Sequence, residues 1–399
     1  MSDNEISGNP GKLGLDASSC GARPKLLFVV TEDWYFVSHR LQLALAALNA
    51  GFDVALAARV AQHGSLIEKS GLTLFPVAFQ RGSIEPVADL ETIRQLIKIY
   101  RNYRPDIVHH VALKPILYGS IAARVAHIKG VVNALGGLGF VFSSNSIRAR
   151  LLRKGVIPAL RIALRNDHNR TIVQNIDDRS KLLALGISTP TSIRLIRGSG
   201  VDLTAYRRCD TLKQPPVVVL PARLLREKGV YEFVAAARQL HVLGVKARFA
   251  LVGKVDPMNP SSIPAHQLET WKNEGHVEVW GWRQDMDAVF QQAQIVCLPT
   301  SYNEGLPRVL LEASASGCAI VASDIPGCRE LIKHGETGLL VPPRDVTALV
   351  TALKYLIEHP AERKRLGQAT RATLDPDFTI ETVVNQTLDI YRELMPNCG

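Results

Sequence analysis

The chain has 399 residues, 46% of them hydrophobic, and a formal net charge of +10 at pH 7. This length suits two domains better than one core, and no stretch has the eighteen or so uncharged apolar residues of a membrane-spanning helix. Residues 1–208 contain 27 Lys and Arg against 15 Asp and Glu, whereas residues 209–399 contain 20 against 22. The basic first half is therefore expected to meet an anionic partner, such as a membrane surface, a phosphorylated substrate or nucleic acid.

The first 24 residues are rich in Gly, Ser, Asn and Asp and lack the apolar segment of a secretion signal. We therefore expect a disordered tail on a cytoplasmic protein. The cysteines form no CxxC pair and no spacing typical of a metal site, so that we predict neither disulfides nor zinc. The six are Cys20, Cys209, Cys297, Cys318, Cys328 and Cys398.

From residue 25 onward, apolar runs alternate with amphipathic segments, which is typical of parallel strands covered by helices on both faces. The polar stretch 203–216 interrupts this pattern, which then restarts. We predict an α/β fold of two doubly wound, Rossmann-like domains facing a cleft, at 25–205 and 206–378, and a helix at 379–399 that could pack back on the first domain. Candidate strands lie at 26–30, 53–58, 72–78, 107–112, 131–135, 171–175, 192–196, 217–222, 248–253, 276–282, 295–301, 318–323 and 338–343, and candidate helices at 38–52, 229–243, 307–316, 328–334 and 345–358.

The stretch 295–322 predicts a strand, a loop, a helix and a second strand. Glu304 and Glu312 stand eight positions apart, a little over two helical turns, so that a helix between them would bring both carboxylates to roughly one side. Gly305 would let a ligand approach the backbone at the helix start. Two acids beside a glycine at a helix start indicate a binding site.

Two cations follow the first strand of the second half. Arg223 and Lys228 stand between this strand and the next helix. Cations and a helix start at a strand end suit a diphosphate, which they would hold through charge-assisted hydrogen bonds and the helix dipole. A solvated loop is the alternative.

The segment TEDWYFVSHR at 31–40 follows the first strand and contains Trp34, His39 and Arg40. It stands where a Rossmann protein carries a glycine fingerprint, yet GxGxxG is missing, which argues against a dinucleotide site. Aromatic residues that merely pack a loop are the alternative.

Two further segments of the first half end strands that should face the cleft. His110, or His109 if the alternation runs the other way, could bind a substrate hydroxyl or phosphate, and Lys114 follows; a simply buried His is the alternative. Open backbone N–H groups at Gly136 and Gly137 could hold anionic or sugar oxygens.

Asp285 and Asp287 resemble the DxD that holds a divalent metal in some nucleotide-sugar enzymes. Their position before an apolar helix favours a helix cap for Asp285 instead, and we predict no metal site.

The segment 147–170 holds seven basic residues and one acid among apolar residues. This composition is typical of a helix that lies in an anionic membrane interface. A solvated helix packed on its own domain is the alternative.

Four motifs together resemble glycosyltransferase family 4: PARLLREKG, VEVWGWRQDM, LPTSYNEGLPRVLLEASASGCAIVASDIPGCRELI and GETGLLVPPRD. The two glutamates separated by seven residues, with the Arg and Lys before them, are the most specific part. The resemblance covers nearly all of residues 25–395. TEDWYFVSHR, RPDIVHHVALKP and GGLGFVF are similar to the subgroup that includes the bacterial bacillosaminyl-diphospho-undecaprenol N-acetylgalactosaminyltransferases.

The resemblance implies a GT-B fold whose second domain binds the donor and whose first domain binds the acceptor. The family often carries His-x-His after the strand ending at Val108; because Val111 replaces the second His, either His109 or His110 could face the substrate. By position, the diphosphate would be held by Arg223 and Lys228, the sugar by Glu304, the ribose by Glu312, phosphate or sugar oxygens by the backbone of Gly305, Leu306 and Val309, and the base by Trp282 and Arg283. The catalytic candidates are Glu304, Lys228, His109 and His110, and the first-domain candidates are Trp34, His39, Arg40, Lys114, Gly136 and Gly137.

The implied activity is a retaining, metal-independent hexosyl transfer without a cofactor. A hexose or N-acetylhexosamine would move from a nucleotide-diphosphate sugar, UDP-linked, to a lipid-diphosphate-linked saccharide in bacterial surface polysaccharide assembly. The protein would be peripheral at the inner face of the cytoplasmic membrane and would bind no nucleic acid. A UDP-sugar 2-epimerase of the same fold is the alternative, and a non-enzymatic basic protein would leave the acids and cations of the second half unexplained.

Overall fold

The computed structural model describes residues 23–80, 85–139, 142, 147–165, 168–207, 214–257 and 259–395. These residues form two parallel sheets with helices on both faces, which confirms the predicted fold class. The first sheet has the order β3-β2-β1-β4-β5-β6-β7. Its strands are β1 Lys25–Glu32, β2 Asp53–Arg59, β3 Thr73–Pro76, β4 Ile107–Val111, β5 Gly130–Ala134, β6 Asn169–Val173 and β7 Ile193–Leu195.

The helices of the first unit cover both faces of this sheet, because alternate side chains of each strand enter different cores. Phe28 packs with residues of the second and the last helix, whereas Leu27 and Val29 pack with Leu96 and Ala122. The helices are α1 Asp33–His39, α2 Leu41–Asn49, α3 Gly64–Lys69, α4 Pro86–Tyr103, α5 Leu113–Val125, α6 Ile147–Leu164 and α7 Ile176–Ala184.

The second sheet has the order β10-β9-β8-β11-β12-β13. Its strands are β8 Val217–Pro221, β9 Arg248–Val252, β10 Glu278–Gly281, β11 Ile295–Leu298, β12 Ala319–Ser323 and β13 Leu339–Val341. A 3-10 turn, Arg226–Lys228, precedes its first helix, and the helices are α8 Val230–Val242, α9 Ala265–Glu274, α10 Met286–Gln292, α11 Arg308–Ala315, α12 Pro326–Arg329, α13 Val346–Glu358, α14 Pro360–Ala372 and α15 Ile380–Leu394.

The last helix, α15, packs on the first sheet. Its Tyr391 is fully buried among residues of that core, and its Glu393 accepts hydrogen bonds of 3.0 Å from Arg170 and from Arg194. The predicted domain boundaries stay predictions, because the tail and residues 208–213 of the linker lie outside the described residues.

Both sheets reverse their strand order beside their first strand, between β1 and β4 and between β8 and β11. Ligands of open α/β sheets bind at the carboxyl ends of strands at such points. The helix α14 was not predicted from the sequence, and the helix predicted at 328–334 corresponds to α12, which is shorter. Among the helices that the structure describes, none is both long and apolar enough to cross a membrane.

Candidate active site

Lys228 and Glu304 form an ion pair at the carboxyl edge of the second sheet. Nζ lies 2.7 Å from Oε1, and the side chains are only 15% and 14% exposed. The contact depends on Gly229, which has a φ of +77°; a Cβ there would lie 2.1 Å from the carbonyl oxygen of Pro299. The glycine thus allows the turn that carries Lys228 to lie directly on the loop after β11.

Glu312 occupies a separate position, on α11. Its Oε1 accepts a hydrogen bond of 2.8 Å from Nε of Arg308, one turn earlier. Burial, followed by the charge of Glu312, raises the pKa of the Tyr206 hydroxyl. The helix α11 begins at Arg308, close to the predicted start at residue 307, so that Glu304 lies in the loop before the helix and Glu312 stands on it.

A cavity of about 370 Å³ opens between the two units. Glu312 and Arg308 line it from the second sheet, and His39 and Arg40 line it from the first. Sequence reasoning had not named Arg308, although its spacing of four from Glu312 is a recognisable helical ion-pair signal. The other lining residues are Val37, Ser38, Gln42, Ser199, Gly200, Tyr206, Gln284, Met286 and Ile380.

His39 is neutral at physiological pH. Burial, followed by the charge of Arg308, lowers its pKa to about 3. Its ring stacks on that of Tyr35 with 4.2 Å between centroids, and its Nδ1 lies 2.6 Å from Oγ of Ser38. The ring is therefore fixed in orientation and is a weak base.

The loop around Gly305 touches the first unit directly. Its N–H donates to the carbonyl of Gly136 at 3.1 Å, and the N–H of Leu306 donates to Oε1 of Gln174 at 3.0 Å. A Cβ on Gly137 would lie 2.6 Å from the Gly305 nitrogen. The sequence predicts that these two N–H groups face a donor; in the structure they join the two units. Gly136 and Gly137 lie at the same junction. The side chain of Val309 packs against the core of the second unit.

Arg223 also reaches across the cleft. Its Nη1 lies 3.3 Å from Oδ2 of Asp256, and its guanidinium carbon lies 5.9 Å from the ring centroid of Trp34. The structure thus brings the predicted diphosphate residue to the predicted acceptor loop. A guanidinium above an indole ring is an attractive cation–π arrangement.

The segment after β10 is largely exposed. Trp282 is 56% exposed with Nζ of Lys254 5.1 Å from its ring, and Nε of Arg283 donates to Asp285 at 2.7 Å. Asp285 stands at the N-cap position of α10, as predicted, although its side chain makes no capping hydrogen bond. Asp287 accepts a hydrogen bond of 3.0 Å from the backbone N–H of Arg207. Within the described ranges, no three His, Cys, Asp or Glu side chains cluster as metal ligands.

Neither His109 nor His110 is among the residues that line this cavity, and a substrate-facing role for either of them stays a prediction. Both are fully buried in β4, because helices cover both faces of the sheet. Nδ1 of His110 donates to Asn133 at 2.8 Å, its Nε2 accepts from the Tyr100 hydroxyl at 2.9 Å, and burial lowers its pKa to about 4. His109 lies with Nδ1 2.6 Å from the Tyr391 hydroxyl.

Lys114 is likewise engaged away from the cavity. Its Nζ lies 3.2 Å from Oδ1 of Asp89 and donates to the carbonyl of Gln80 at 3.1 Å. It lies in the first turn of α5, where it joins two helices of the first unit.

Comparisons with known proteins show the family to which the chain belongs. Residues 207–373 match the family described as Glycosyl transferases group 1, and residues 25–175 match Glycosyl transferase 4-like. The N,N'-diacetylbacillosaminyl-diphospho-undecaprenol alpha-1,3-N-acetylgalactosaminyltransferase of Campylobacter jejuni is 30% identical over 82% of this chain and 87% of its own. The UDP-Gal:alpha-D-GlcNAc-diphosphoundecaprenol alpha-1,3-galactosyltransferase of Escherichia coli is 25% identical over 79% and 82%.

Solved structures share the fold. A sucrose-phosphate synthase from Thermosynechococcus elongatus superposes with a TM-score of 0.77 at 21% identity, covering 93% of this chain and 99% of its own. Anabaena HepE in complex with UDP and glucose superposes with a TM-score of 0.74 at 17% identity, covering 93% and 100%. The epimerase alternative gains no support from these relatives. With matches to both halves and 30% identity to a transferase over most of both chains, the protein belongs to the GT-B glycosyltransferases of family 4.

Proposed function

We propose that the protein is a retaining, metal-independent glycosyltransferase that moves a hexose or N-acetylhexosamine from a UDP-sugar to a lipid-diphosphate-linked saccharide. The observation that carries this proposal is the nearly buried Lys228–Glu304 pair at the carboxyl edge of the second sheet, where the charge of Lys228 acts on His39 in the cavity between the two units. The names of two relatives support the substrates: both contain a diphosphate-linked undecaprenol, and one contains UDP-Gal.

The donor would reorganise the ion pairs of the second sheet. Lys228 would turn from Glu304 to the diphosphate, which leaves the Glu304 carboxylate free to accept hydrogen bonds from sugar hydroxyls. Glu312 would take a ribose hydroxyl in place of Arg308, and Arg223 would add a second cation to the diphosphate.

The acceptor hydroxyl would attack the anomeric carbon on the same face from which the leaving group departs. The acceptor oxygen forms the new bond, the bond from the anomeric carbon to the phosphate oxygen breaks, and the acceptor proton passes to the leaving phosphate. Because negative charge grows on that phosphate, cations aimed at it stabilise the transition state more than the ground state. His39 is too weak a base to take the proton readily, since its pKa is about 3.

A donor panel with a lipid-linked acceptor tests this proposal. Purified protein would be mixed with a labelled UDP-hexose or UDP-N-acetylhexosamine and an undecaprenyl-diphosphate-linked sugar, in EDTA. We expect label in the lipid phase, an α linkage from an α-linked donor by NMR, and loss of most activity in Lys228→Ala and Glu304→Ala. An inverted linkage, or activity that requires a divalent metal, would contradict the proposed mechanism.

A matched control for these variants is the exposed pair Lys354 and Glu358 on α13. Its Nζ and Oε1 lie 3.8 Å apart, and the side chains are 43% and 48% exposed. Lys354→Ala and Glu358→Ala remove the same charges from the same unit and are expected to keep wild-type turnover. Equal losses in both pairs would mean that the effect is general and not specific to the site.

The acceptor would reach the site from an anionic membrane surface, at the cytoplasmic face. The exposed side of α6 carries Leu151 and Ile162, which are 62% and 61% exposed, together with Lys154 and Arg161. Its other side is core, since Leu160 and Leu164 are fully buried. Apolar side chains among cations on one helix face suit the headgroup region of a bilayer, where each well-placed cation contributes about 1 kcal/mol.

Liposome flotation tests this surface. We expect binding to vesicles with anionic lipid, weakening as salt rises, and a loss of binding in Leu151→Gln combined with Lys154→Gln. Arg94→Gln, an exposed charge on α4, is the control that should still float. Vesicle binding that depends neither on lipid charge nor on salt would refute the proposed membrane surface. It would not contradict the proposed transfer reaction.

A further inference from the structure

Arg40 is a buried cation without a partner among the described residues. The residue is only 5% exposed and stands between α1 and α2, where it lines the cavity. Its Nε is fully buried without a hydrogen-bond acceptor, and its guanidinium makes no ion pair or side-chain hydrogen bond with any residue that the structure describes. The comparably buried Arg363 also leaves its Nε and Nη2 without an acceptor, but its Nη1 donates to the carbonyls of Leu356 and Ile357.

The surroundings of Arg40 do not neutralise it. The charged side chains that line the cavity are Arg40, Arg308 and Glu312, and Glu312 is already paired with Arg308. His39 lines the same space as a neutral ring. One positive charge therefore remains on a nearly buried side chain, and burying a charge without a partner is costly unless a ligand compensates it.

We propose that Arg40 binds a diphosphate oxygen of a substrate at the first-unit wall of the cavity. The planar guanidinium presents paired N–H groups that match two phosphate oxygens, and a ligand of this charge neutralises the cavity. The inference rests on the proposed function, because both substrates of that reaction carry a diphosphate. The donor and the lipid-linked acceptor are thus the two sources of the group that Arg40 binds.

Kinetics and binding in Arg40→Gln separate the two sources. A charge-assisted hydrogen bond corresponds to about a ten- to hundredfold change in affinity. A rise of this size in acceptor KM with unchanged UDP affinity by calorimetry assigns Arg40 to the acceptor. An equal loss of UDP affinity assigns it to the donor. Wild-type values for acceptor KM and UDP affinity would overturn the proposal.

Two further variants remove ambiguity about folding. Arg40→Lys keeps the charge without the fork and is expected to recover part of the lost affinity, and Arg94→Gln removes an exposed cation and should change neither constant. Because Arg40 has no partner to lose, Arg40→Gln should melt no lower than wild type without ligand. A lower melting temperature together with intact substrate constants would mean a structural role and overturn the proposal.

Inorganic pyrophosphate distinguishes failure of this inference from failure of the proposed function. Its binding by wild type and by Arg40→Gln can be measured without any transfer. Arg40-dependent binding in a protein that transfers no sugar would refute the proposed reaction alone. Normal transfer with pyrophosphate and substrate constants that do not depend on Arg40 would refute the inference alone.

Discussion

The Lys228–Glu304 pair gives the sharpest prediction, through a double-mutant cycle of Lys228→Met, Glu304→Gln and the two combined. Breaking a fully buried ion pair costs about 3–5 kcal/mol, and an exposed pair contributes at most about 1 kcal/mol. With side chains 15% and 14% exposed, this pair lies between these limits. We expect each single change to lower the free energy of unfolding by about 2 kcal/mol, because it leaves one charge nearly buried and unpaired.

The double variant should recover part of that loss, since it leaves no unpaired charge. Urea unfolding at neutral pH would measure a coupling free energy of about 1–2 kcal/mol. Transfer activity should fall about 10²–10³-fold in each single variant and should not recover in the double, because the pair that steadies the fold is also expected to bind the donor. Additive stability losses, or a double variant with restored activity, would refute this reasoning.

Three further predictions follow from His110, Gly137 and Ala112. His110 has a pKa of about 4 against 6.5 for an ordinary His, so the unfolded chain binds this proton first as the pH falls. The His110 contribution to the free energy of unfolding is complete above pH 6.5 and should fall by about 3 kcal/mol as the pH drops towards 4. Urea unfolding of His110→Gln should show a shallower dependence on pH. Gly137→Ala should lower the free energy of unfolding by about 1–3 kcal/mol and reduce turnover, because its φ is +108° and the new Cβ would meet Gly305. The control Gly155→Ala in α6, which has open space around it, should be neutral or stabilising. Ala112→Gly should raise the melting temperature, since Ala112 has a φ of 78°, and an unchanged or lower value would contradict strain there.

Sequence reasoning worked best where local pattern and position suffice. Alternating apolar strands and helices predicted both sheets, which the structure confirms. The roles that the motifs predict for Arg223, Lys228, Glu304 and Glu312 stay predictions. The structure adds what spacing cannot contain, such as the 2.7 Å contact between Lys228 and Glu304. That contact depends on a close approach at Gly229, which is a tertiary feature.

The surroundings of the two histidines of β4 could not be predicted from the sequence, for a physical reason. The alternation of side chains along a strand predicts which of them face a cleft only when one face of the sheet is open. Here α15 covers the face on which His109 lies. The partner of that His, Tyr391, lies 282 positions away, so that no local pattern indicates it. The acceptors of the Gly305 and Leu306 N–H groups likewise belong to the other unit, so that no local pattern indicates them.

The most direct test of the account is transfer of labelled sugar from UDP to a lipid-diphosphate acceptor by purified protein. The account predicts that label enters the lipid phase in proportion to acceptor, that UDP is released in equal amount, and that Lys228→Met lowers both about 10²–10³-fold. UDP-sugar that is epimerised without acceptor, or label that reaches water but never the lipid across the whole donor panel, would contradict it.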